Sequence, residues 1–382
     1  MPFMKDIVVL GSTGSIGKQT LDVAAFQGYR VRAISACRSV RLAEEQIRRF
    51  HPVYCAMADE QAAKDLQTRV LDTDTKILSG NEGVCALPGL VECDAVVNAV
   101  VGRAGLLPTM ATLEAGRRLA LANKESLVCA GALVKRKALE KSCPVLPVDS
   151  EHSAVFQCLQ CGKKEEVSRI LLTASGGPFF GRTKEELSGV SAKDALAHPT
   201  WSMGAKITVD SATLMNKGFE VMEASYLFDV PADRIEVLVH RESVVHSMVE
   251  YCDSTVIAQL SLPDMRDCIQ YALTYPHRVK GPMSRLDLTK IGKLTFCPPD
   301  TRTFPLLSLA LWAMKEGGLA GAVLNGANEG AVALFLEGRI SFLQISELVE
   351  KVTREYENRQ EPSLEEICFA GEEAERRLWA LI

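Results

Sequence analysis

The sequence predicts an α/β chain in three parts: a parallel sheet wrapped by helices, an α+β middle with further strands, and a C-terminal helical bundle. Three observations carry this prediction. Gly11-Ser12-Thr13-Gly14-Ser15-Ile16-Gly17 joins the apolar run Ile7-Val8-Val9-Leu10 to a segment with helical spacing at Leu21, Val23, Ala24 and Ala25. Short apolar runs at 29–36, 53–57, 95–100 and 119–122 then alternate with helical patterns, as in a parallel sheet covered by helices. From residue 306 onward the apolar positions keep helical spacing and break at Gly317-Gly318 and Gly338, which describes a small bundle.

Size and composition bound the function. At 382 residues the chain exceeds the length at which one core stops growing, so two or three domains are expected. A hydrophobic share of 47% with 24% charged residues excludes extended disorder, and a net charge of −5 gives no basic footprint for nucleic acid. No apolar run approaches the roughly 18 residues needed to span a bilayer. The N-terminus enters a strand pattern too early to hold a leader, so a cytoplasmic location is expected. The twelve cysteines, among them Cys93, Cys129 and Cys143 in apolar segments, read as reduced thiols, and Cys158-Leu159-Gln160-Cys161 as two thiols on one helical turn.

The first element fixes the nucleotide. A glycine turn between strand and helix lets the backbone approach a pyrophosphate, and the helix N-terminus offers free N–H groups. The next strand ends in Cys37-Arg38-Ser39, where an NAD enzyme would place an acidic residue. A guanidinium and a hydroxyl suit a 2′-phosphate, so NADP is expected over NAD; the alternative for Arg38 is a solvated loop cation. Two polar clusters follow at strand ends, where ligands of such sheets bind. In Asn123-Lys124-Glu125-Ser126, Lys124 could hold a carbonyl or hydroxyl oxygen, or Asn123 could cap the next helix with Glu125 in its first turn. In Val148-Asp149-Ser150-Glu151, a strand closed by Val148 would send Asp149 and Glu151 to one face by its period of two.

The middle of the chain carries the other polar groups. A strand over 170–174 opens into Ser175-Gly176-Gly177-Pro178, whose amides and hydroxyl would cradle an oxyanion or phosphate. The loop His198-Pro199-Thr200-Trp201-Ser202-Met203-Gly204 either closes as a lid or packs Trp201 onto a domain face. Leu214, Phe219, Met222 and Tyr226 fit a core-facing helix, with Ser211, Asn216, Lys217 and Glu220 as a polar stripe whose serine, amide and lysine would bind a dianionic phosphate together with Ser175. Glu220 adds a third carboxylate to Asp149 and Glu151. Each like-charged pair at ~4 Å costs about 4 kcal/mol at an effective dielectric of 20, so the three stay apart or hold a cation, and oxygen-only ligands select Mg²⁺ or Mn²⁺. Strand patterns at 235–239, 244–249 and 255–260 suggest antiparallel hairpins, His240, His246 and His277 read as structural, and the proline-rich stretch 286–305 reads as a linker.

Taken in order, the glycine turn, Asn123-Lys124-Glu125-Ser126, Pro147-Val148-Asp149-Ser150-Glu151-His152, Ser175-Gly176-Gly177-Pro178, the His198 to Gly204 loop and Asn216-Lys217-Gly218 with Glu220 resemble the 1-deoxy-D-xylulose 5-phosphate reductoisomerases. The resemblance covers essentially the whole chain, including Ala322-Val323-Leu324-Asn325 and Ala327-Asn328-Glu329. It implies an NADPH-dependent, metal-dependent rearrangement and reduction giving 2-C-methyl-D-erythritol 4-phosphate on the non-mevalonate route to isoprenoids, in a homodimer. By it Asp149, Glu151 and Glu220 would hold the metal. Ser175, His198, Ser211, Asn216 and Lys217 would hold the substrate phosphate, and Lys124 and Ser150 the oxygenated carbons. Thr13, Gly14, Ser15, Ile16, Asn123, Glu125 and Gly204 would touch NADPH beside Cys37, Arg38 and Ser39. The corresponding division is a Rossmann-like domain over 1–149, a catalytic and dimerisation domain over 150–285 with a lid near 198–208, the linker 286–305, and the helical domain 306–382. Two departures stand out: Cys37-Arg38-Ser39 replaces the family's usual Gly-Lys-Asn, and Gly326 stands where alanine is usual, with an expected effect on stability alone of ~1 kcal/mol. A plain NADP-linked aldehyde dehydrogenase would leave the three carboxylates and the phosphate cluster idle, and an NADPH-sensing scaffold would be indifferent to both.

Overall fold

The computed structural model describes residues 5–201 and 203–382; Ser202 of the Trp201 loop lies outside the described residues. The chain divides into two compact units, one built from Met1–Asn123, Val134–Ser153 and Asp264–Ser284, the other from Lys124–Leu133, Ala154–Pro263 and Arg285–Ile382.

In the first unit β1 (Asp6–Leu10), β2 (Arg30–Ala36), β3 (Tyr54–Met57), β4 (Lys76–Ser79), β5 (Ala95–Asn98), β6 (Leu119–Leu121) and β7 (Val145–Pro147) form one parallel sheet in the order β4-β3-β2-β1-β5-β6-β7. Helices α1 (Ser15–Gln27), α2 (Val40–Phe50), α3 (Glu60–Arg69), α4 (Gly80–Leu90), α5 (Leu106–Glu114), α6 (Glu125–Glu140) and α7 (Ser150–Cys158) follow successive strands, and the division between the units falls within α6 and α7. The expected Rossmann-like sheet is therefore present. Burial on both faces explains why β1 and β5 are nearly continuous apolar runs. β1 pairs in parallel with both β2 and β5, so the strand order reverses there, and the glycine turn leaves β1 at this switch point. β4 has no counterpart in the sequence reading, because a short, half-exposed edge strand carries no apolar run.

One expectation fails at the end of this sheet. The strand stops at Pro147, and Glu151 lies in the first turn of α7 rather than two residues along a strand. Asp149 Oδ1 accepts the Glu151 N–H at 3.2 Å and the Asp149 carbonyl accepts the Ser153 N–H at 2.9 Å, so Asp149 caps the helix. The capping preference of Asp and Ser outweighs strand extension here.

The second unit contains a mixed sheet in the order β11-β10-β8-β9, from β8 (Val167–Ala174), β9 (Ile235–Val239), β10 (Val245–Tyr251) and β11 (Val256–Leu260). β10 runs antiparallel to β8 and β11, but β9 is parallel to β8, unlike the expected run of hairpins. The long β8 to β9 connection supplies the crossover a parallel pair needs. That connection holds α8 (Ala192–Ala195), α9 (Ala205–Ala212) and α10 (Met215–Phe228). After β11 the chain returns to the first unit as α11 (Met265–Thr274), where Gln27 Nε2 donates to Gln270 Oε1 at 2.8 Å. The stretch 286–305 carries α12 (Leu288–Ile291) and a two-way backbone bridge between Cys297 and Val239, at 2.7 and 3.0 Å.

The C-terminal helices are α13 (Leu306–Glu316), α14 (Ala320–Leu336), α15 (Phe342–Glu355) and α16 (Leu364–Trp379). The packing of α14 on α16 corrects the view of Gly326 as a mere weak point in a helix. A Cβ at Gly326 would land on the Gly371 carbonyl oxygen of α16, inside van der Waals contact. The glycine is required by helix packing, so Gly326→Ala should destabilise by about 1–3 kcal/mol through overpacking, more than the ~1 kcal/mol that alanine gains in helix propensity. Thermal denaturation checks this; an unchanged or higher Tm would refute it.

Candidate active site

In the first unit the glycine turn is tight and internally fixed. Gly11 has φ +79°, and a Cβ there would sit 2.6 Å from the Ala99 carbonyl oxygen. A Cβ at Gly17 would collide with the Gly11 carbonyl, so α1 begins directly against the turn. Ser12 Oγ donates to Gln46 Oε1 at 2.6 Å while Gln46 Nε2 returns a bond to the Ser12 carbonyl at 2.9 Å, locking the loop onto α2. Gly14 is the N-cap of α1 and brings no side chain to the first amides. Ser15 is exposed, with Thr13 and Ile16 half-buried beside it. Such a helix start can accept a pyrophosphate.

Cys37, Arg38 and Ser39 are all exposed beyond β2. Arg38 is 83% exposed and its Nε lies 2.9 Å from Asp59 Oδ2. The Asp59 carboxyl is held below its ordinary pKa by the Ala62 N–H and then by Arg38. So exposed a pair contributes little and can open toward a competing anion. Asn123 Nδ2 donates to the carbonyls of Val100 and Gly102, at 2.8 Å each, and so fixes the loop after β5. At the end of β7, Ser150 Oγ donates to Glu151 Oε2, and Asp149 Oδ1 lies 3.2 Å from Nδ1 of the fully buried His152.

The second unit gathers most of the remaining residues. Glu220, 1% exposed on α10, accepts from Lys124 Nζ at 3.2 Å and from Asn216 Nδ2 on Oε1, and pairs through Oε2 with Lys217 Nζ. Lys124 Nζ also donates to Asn216 Oδ1 at 2.7 Å, and Lys217 Nζ to the Thr173 carbonyl at 2.5 Å, near the end of β8. Two ammonium groups thus flank one carboxylate. Two residues beyond Thr173, Ser175 Oγ lies 2.9 Å from His198 Nε2. His198 Nδ1 accepts the N–H groups of Thr200 at 3.2 Å and Trp201 at 3.0 Å, which assigns the ring proton to Nε2 as a donor to Ser175. Burial, and behind it the Arg241 guanidinium, holds this imidazole below its ordinary pKa and so neutral. Gly176 and Gly177 both have positive φ, and a Cβ at Gly177 would sit 2.8 Å from the Ser211 carbonyl oxygen, so this turn and the end of α9 meet backbone to backbone. Trp201 packs near His246, their ring centroids 6.0 Å apart.

Some placements were not legible. Arg241 Nη1 donates to the carbonyls of Ser175 at 2.8 Å and Gly177 at 2.7 Å, bracing the cradle from outside, and no spacing pointed to it. The buried carboxylate of Glu125 pairs with Lys206 of α9 at 2.7 Å, a partner that no spacing pointed to. Gly204 is exposed at the N-cap of α9, outside the Glu220 cluster. Among the structural histidines, His240 accepts the amides of Val244 and Val245 on Nε2, at 3.2 and 3.1 Å, and faces the Thr295 carbonyl with Nδ1 at 2.9 Å.

A parallel sheet with a glycine turn at its switch point, joined in one chain to a lysine-rich cradle, defines a nucleotide-dependent oxidoreductase. Residues 7–131 match the family profile of 1-deoxy-D-xylulose 5-phosphate reductoisomerase, and 145–228 and 260–377 match two C-terminal domain profiles of the same enzyme. The chain belongs to the 1-deoxy-D-xylulose 5-phosphate reductoisomerase family. It is 52% identical to the enzyme of that name from Acetivibrio thermocellus over 94% of this chain and 95% of the relative, and 50% identical to that of Clostridium botulinum strain Loch Maree over 98% of each. A solved reductoisomerase from Zymomonas mobilis in complex with NADPH superposes with a TM-score of 0.92 at 40% identity, covering 99% of this chain and 98% of that one. Another, in complex with NADPH, fosmidomycin and magnesium, gives 0.92 at 38% identity over 98% of each. No helix among the described residues is long and apolar enough to cross a membrane.

Proposed function

We infer that this chain converts 1-deoxy-D-xylulose 5-phosphate to 2-C-methyl-D-erythritol 4-phosphate, using NADPH and a divalent cation. Beyond family membership, the observation that carries the reading is the paired cations at Glu220: Lys124 and Lys217 bring two buried ammonium groups to one place in the second unit, with Lys217 bonded to the Thr173 carbonyl two residues before Ser175, which faces a neutral His198 that donates from Nε2. A sugar phosphate dianion answers that arrangement.

The groups implied by the family fit the residues present. Gly11 and Gly17 keep the turn tight, since a Cβ at either would strike the Ala99 or Gly11 carbonyl, and Gly14 at the N-cap of α1 brings no side chain over the first amides, which suits a pyrophosphate approached by backbone. For NADPH we assign Thr13, Gly14, Ser15, Ile16, Asn123, Glu125 and Gly204, with Cys37, Arg38 and Ser39 toward the 2′-phosphate. The proposed ligand set Asp149, Glu151 and Glu220 contains only carboxylate oxygens, the chemistry of Mg²⁺ or Mn²⁺. When bound, the cation supplies Lewis acidity at the substrate's oxygenated carbons and NADPH supplies the hydride that reduces the rearranged aldehyde. Ser175, His198, Ser211, Asn216 and Lys217 bind the phosphate far from the reacting carbons, so their binding energy serves positioning and closure of the Trp201 loop against water. Lys124 and Ser150 orient the ketone and hydroxyl oxygens. Two copies associate through the mixed sheet, whose edge strand β11 exposes Val256, and the enzyme works in the cytoplasm.

The test is NADPH consumption by the purified protein with 1-deoxy-D-xylulose 5-phosphate, with magnesium and manganese in parallel. Turnover should require the cation and stop on chelation. Turnover that survives chelation would mark a plain dehydrogenase, and none at all would remove the reading.

A further inference from the structure

A second buried charge cluster lies in the same unit as the phosphate cradle. Lys206, the second residue of α9, places Nζ 2.7 Å from Glu125 Oε1 at the start of α6 and 2.9 Å from Asp210 Oδ2 one turn along its own helix. Asp210 Oδ1 accepts from Asn328 Nδ2 of α14 at 2.7 Å, and the same ammonium lies 5.1 Å from the centroid of the Phe219 ring on α10. Side-chain exposure is 18% for Lys206, 9% for Glu125 and 2% for Asp210. Burial alone works against each charge, but pairing outweighs it: Asp210 and Glu125 hold Lys206 above its ordinary pKa, and Lys206 holds Glu125 below its own. One ammonium therefore joins four helices. Three of them carry the cradle: Lys124 directly precedes Glu125, Ser211 directly follows Asp210, and Asn216, Lys217 and Glu220 share α10 with Phe219. The loop of Trp201 ends at Gly204, two residues before Lys206.

We propose that Lys206 is a positioning residue for the reaction read above: through Glu125 and Asp210 it sets Lys124 against the α10 groups and anchors the root of the 198–204 loop. It touches no substrate. Its loss frees the start of α6 and the start of α9 to shift independently, which a binding group confined to the cradle would not do.

Lys206→Met keeps most of the apolar stem while removing the ammonium that faces Glu125, Asp210 and the Phe219 ring, and Lys206→Arg keeps the charge. In the full-length enzyme, assayed where circular dichroism shows the variant folded, Lys206→Met should lower kcat about 30-fold and raise KM for deoxyxylulose phosphate about 10-fold. NADPH affinity, read by fluorescence titration, should weaken by about 10-fold as well, because Glu125 and Gly204 are among the residues assigned to the cofactor, and Lys206→Arg should recover most of kcat. Chymotryptic cleavage after Trp201 should accelerate about 10-fold in Lys206→Met. A folded Lys206→Met with wild-type kcat, KM and cleavage rate would overturn the proposal and leave Lys206 a stabilising ion pair only. Should the wild-type protein fail to turn over this substrate, the functional reading falls, and the cleavage rate after Trp201 still decides whether Lys206 anchors the loop: an unchanged rate overturns that as well.

Discussion

Glu220→Gln is expected to lower kcat/KM by about 10³-fold, ~4 kcal/mol of transition-state stabilisation. Glu220 accepts from three side chains at once, Lys124, Asn216 and Lys217, and is almost fully buried. A glutamine of the same shape keeps the volume but removes the negative charge that both ammonium groups pair with, and its amide NH₂ turns a donor toward donors. Both lysines must then reorient, and the proposed metal loses a ligand with its charge. The same change should cost about 3 kcal/mol of stability, since removing one partner of a buried pair strands the others. Kinetics and denaturation on Glu220→Gln beside Glu220→Asp separate these effects. The aspartate keeps the charge and should recover stability more than rate, because its carboxylate is withdrawn by one methylene. A glutamine variant within tenfold of wild-type kcat/KM would refute the assigned role.

How much of this was legible in the sequence follows the range of the interaction concerned. The glycine turn was readable because strand, turn and helix are contiguous between Ile7 and Ala25, and the φ of Gly11 follows from that local geometry. The stripe Ser211, Asn216, Lys217 and Glu220 was readable because helical spacing puts the last three on one face. Asp149 and Glu151 owe their placement to a helix start and not to a strand period of two: Asp149 caps α7 and Glu151 lies in its first turn. Long-range facts left no trace. Lys206 and Asp210 look like an ordinary exposed i, i+4 pair until folding brings Glu125 and Asn328 against them. The need for Gly326 lies in its distance to Gly371 on another helix. The parallel pairing of β9 depends on where the chain goes between residues 175 and 234, which no property of β9 records.

Lys217→Ala should raise KM for 1-deoxy-D-xylulose 5-phosphate by about 10²-fold, ~2.7 kcal/mol, the scale of a hydrogen bond to a fully charged acceptor. Unlike Glu220→Gln it should leave the fold nearly intact, since Glu220 retains Lys124 and Asn216 and one negative charge then faces one positive charge. The freed Thr173 carbonyl is the remaining cost. If phosphate binding serves only to hold the substrate, kcat will be unchanged; if it supplies the energy that closes the Trp201 loop, kcat falls as well, and we expect a fall of about 10-fold. NADPH affinity is the control, because the glycine turn belongs to the other compact unit and should remain within about twofold. Lys217→Arg is not a neutral replacement at this position. The guanidinium is planar and larger, whereas Lys217 places a compact ammonium between the Thr173 carbonyl and Glu220 Oε2 in a site only a few per cent exposed. Arginine should therefore restore less than half of the lost binding energy, and full restoration would mean that charge alone, rather than the placement of one ammonium at the end of β8, holds the phosphate.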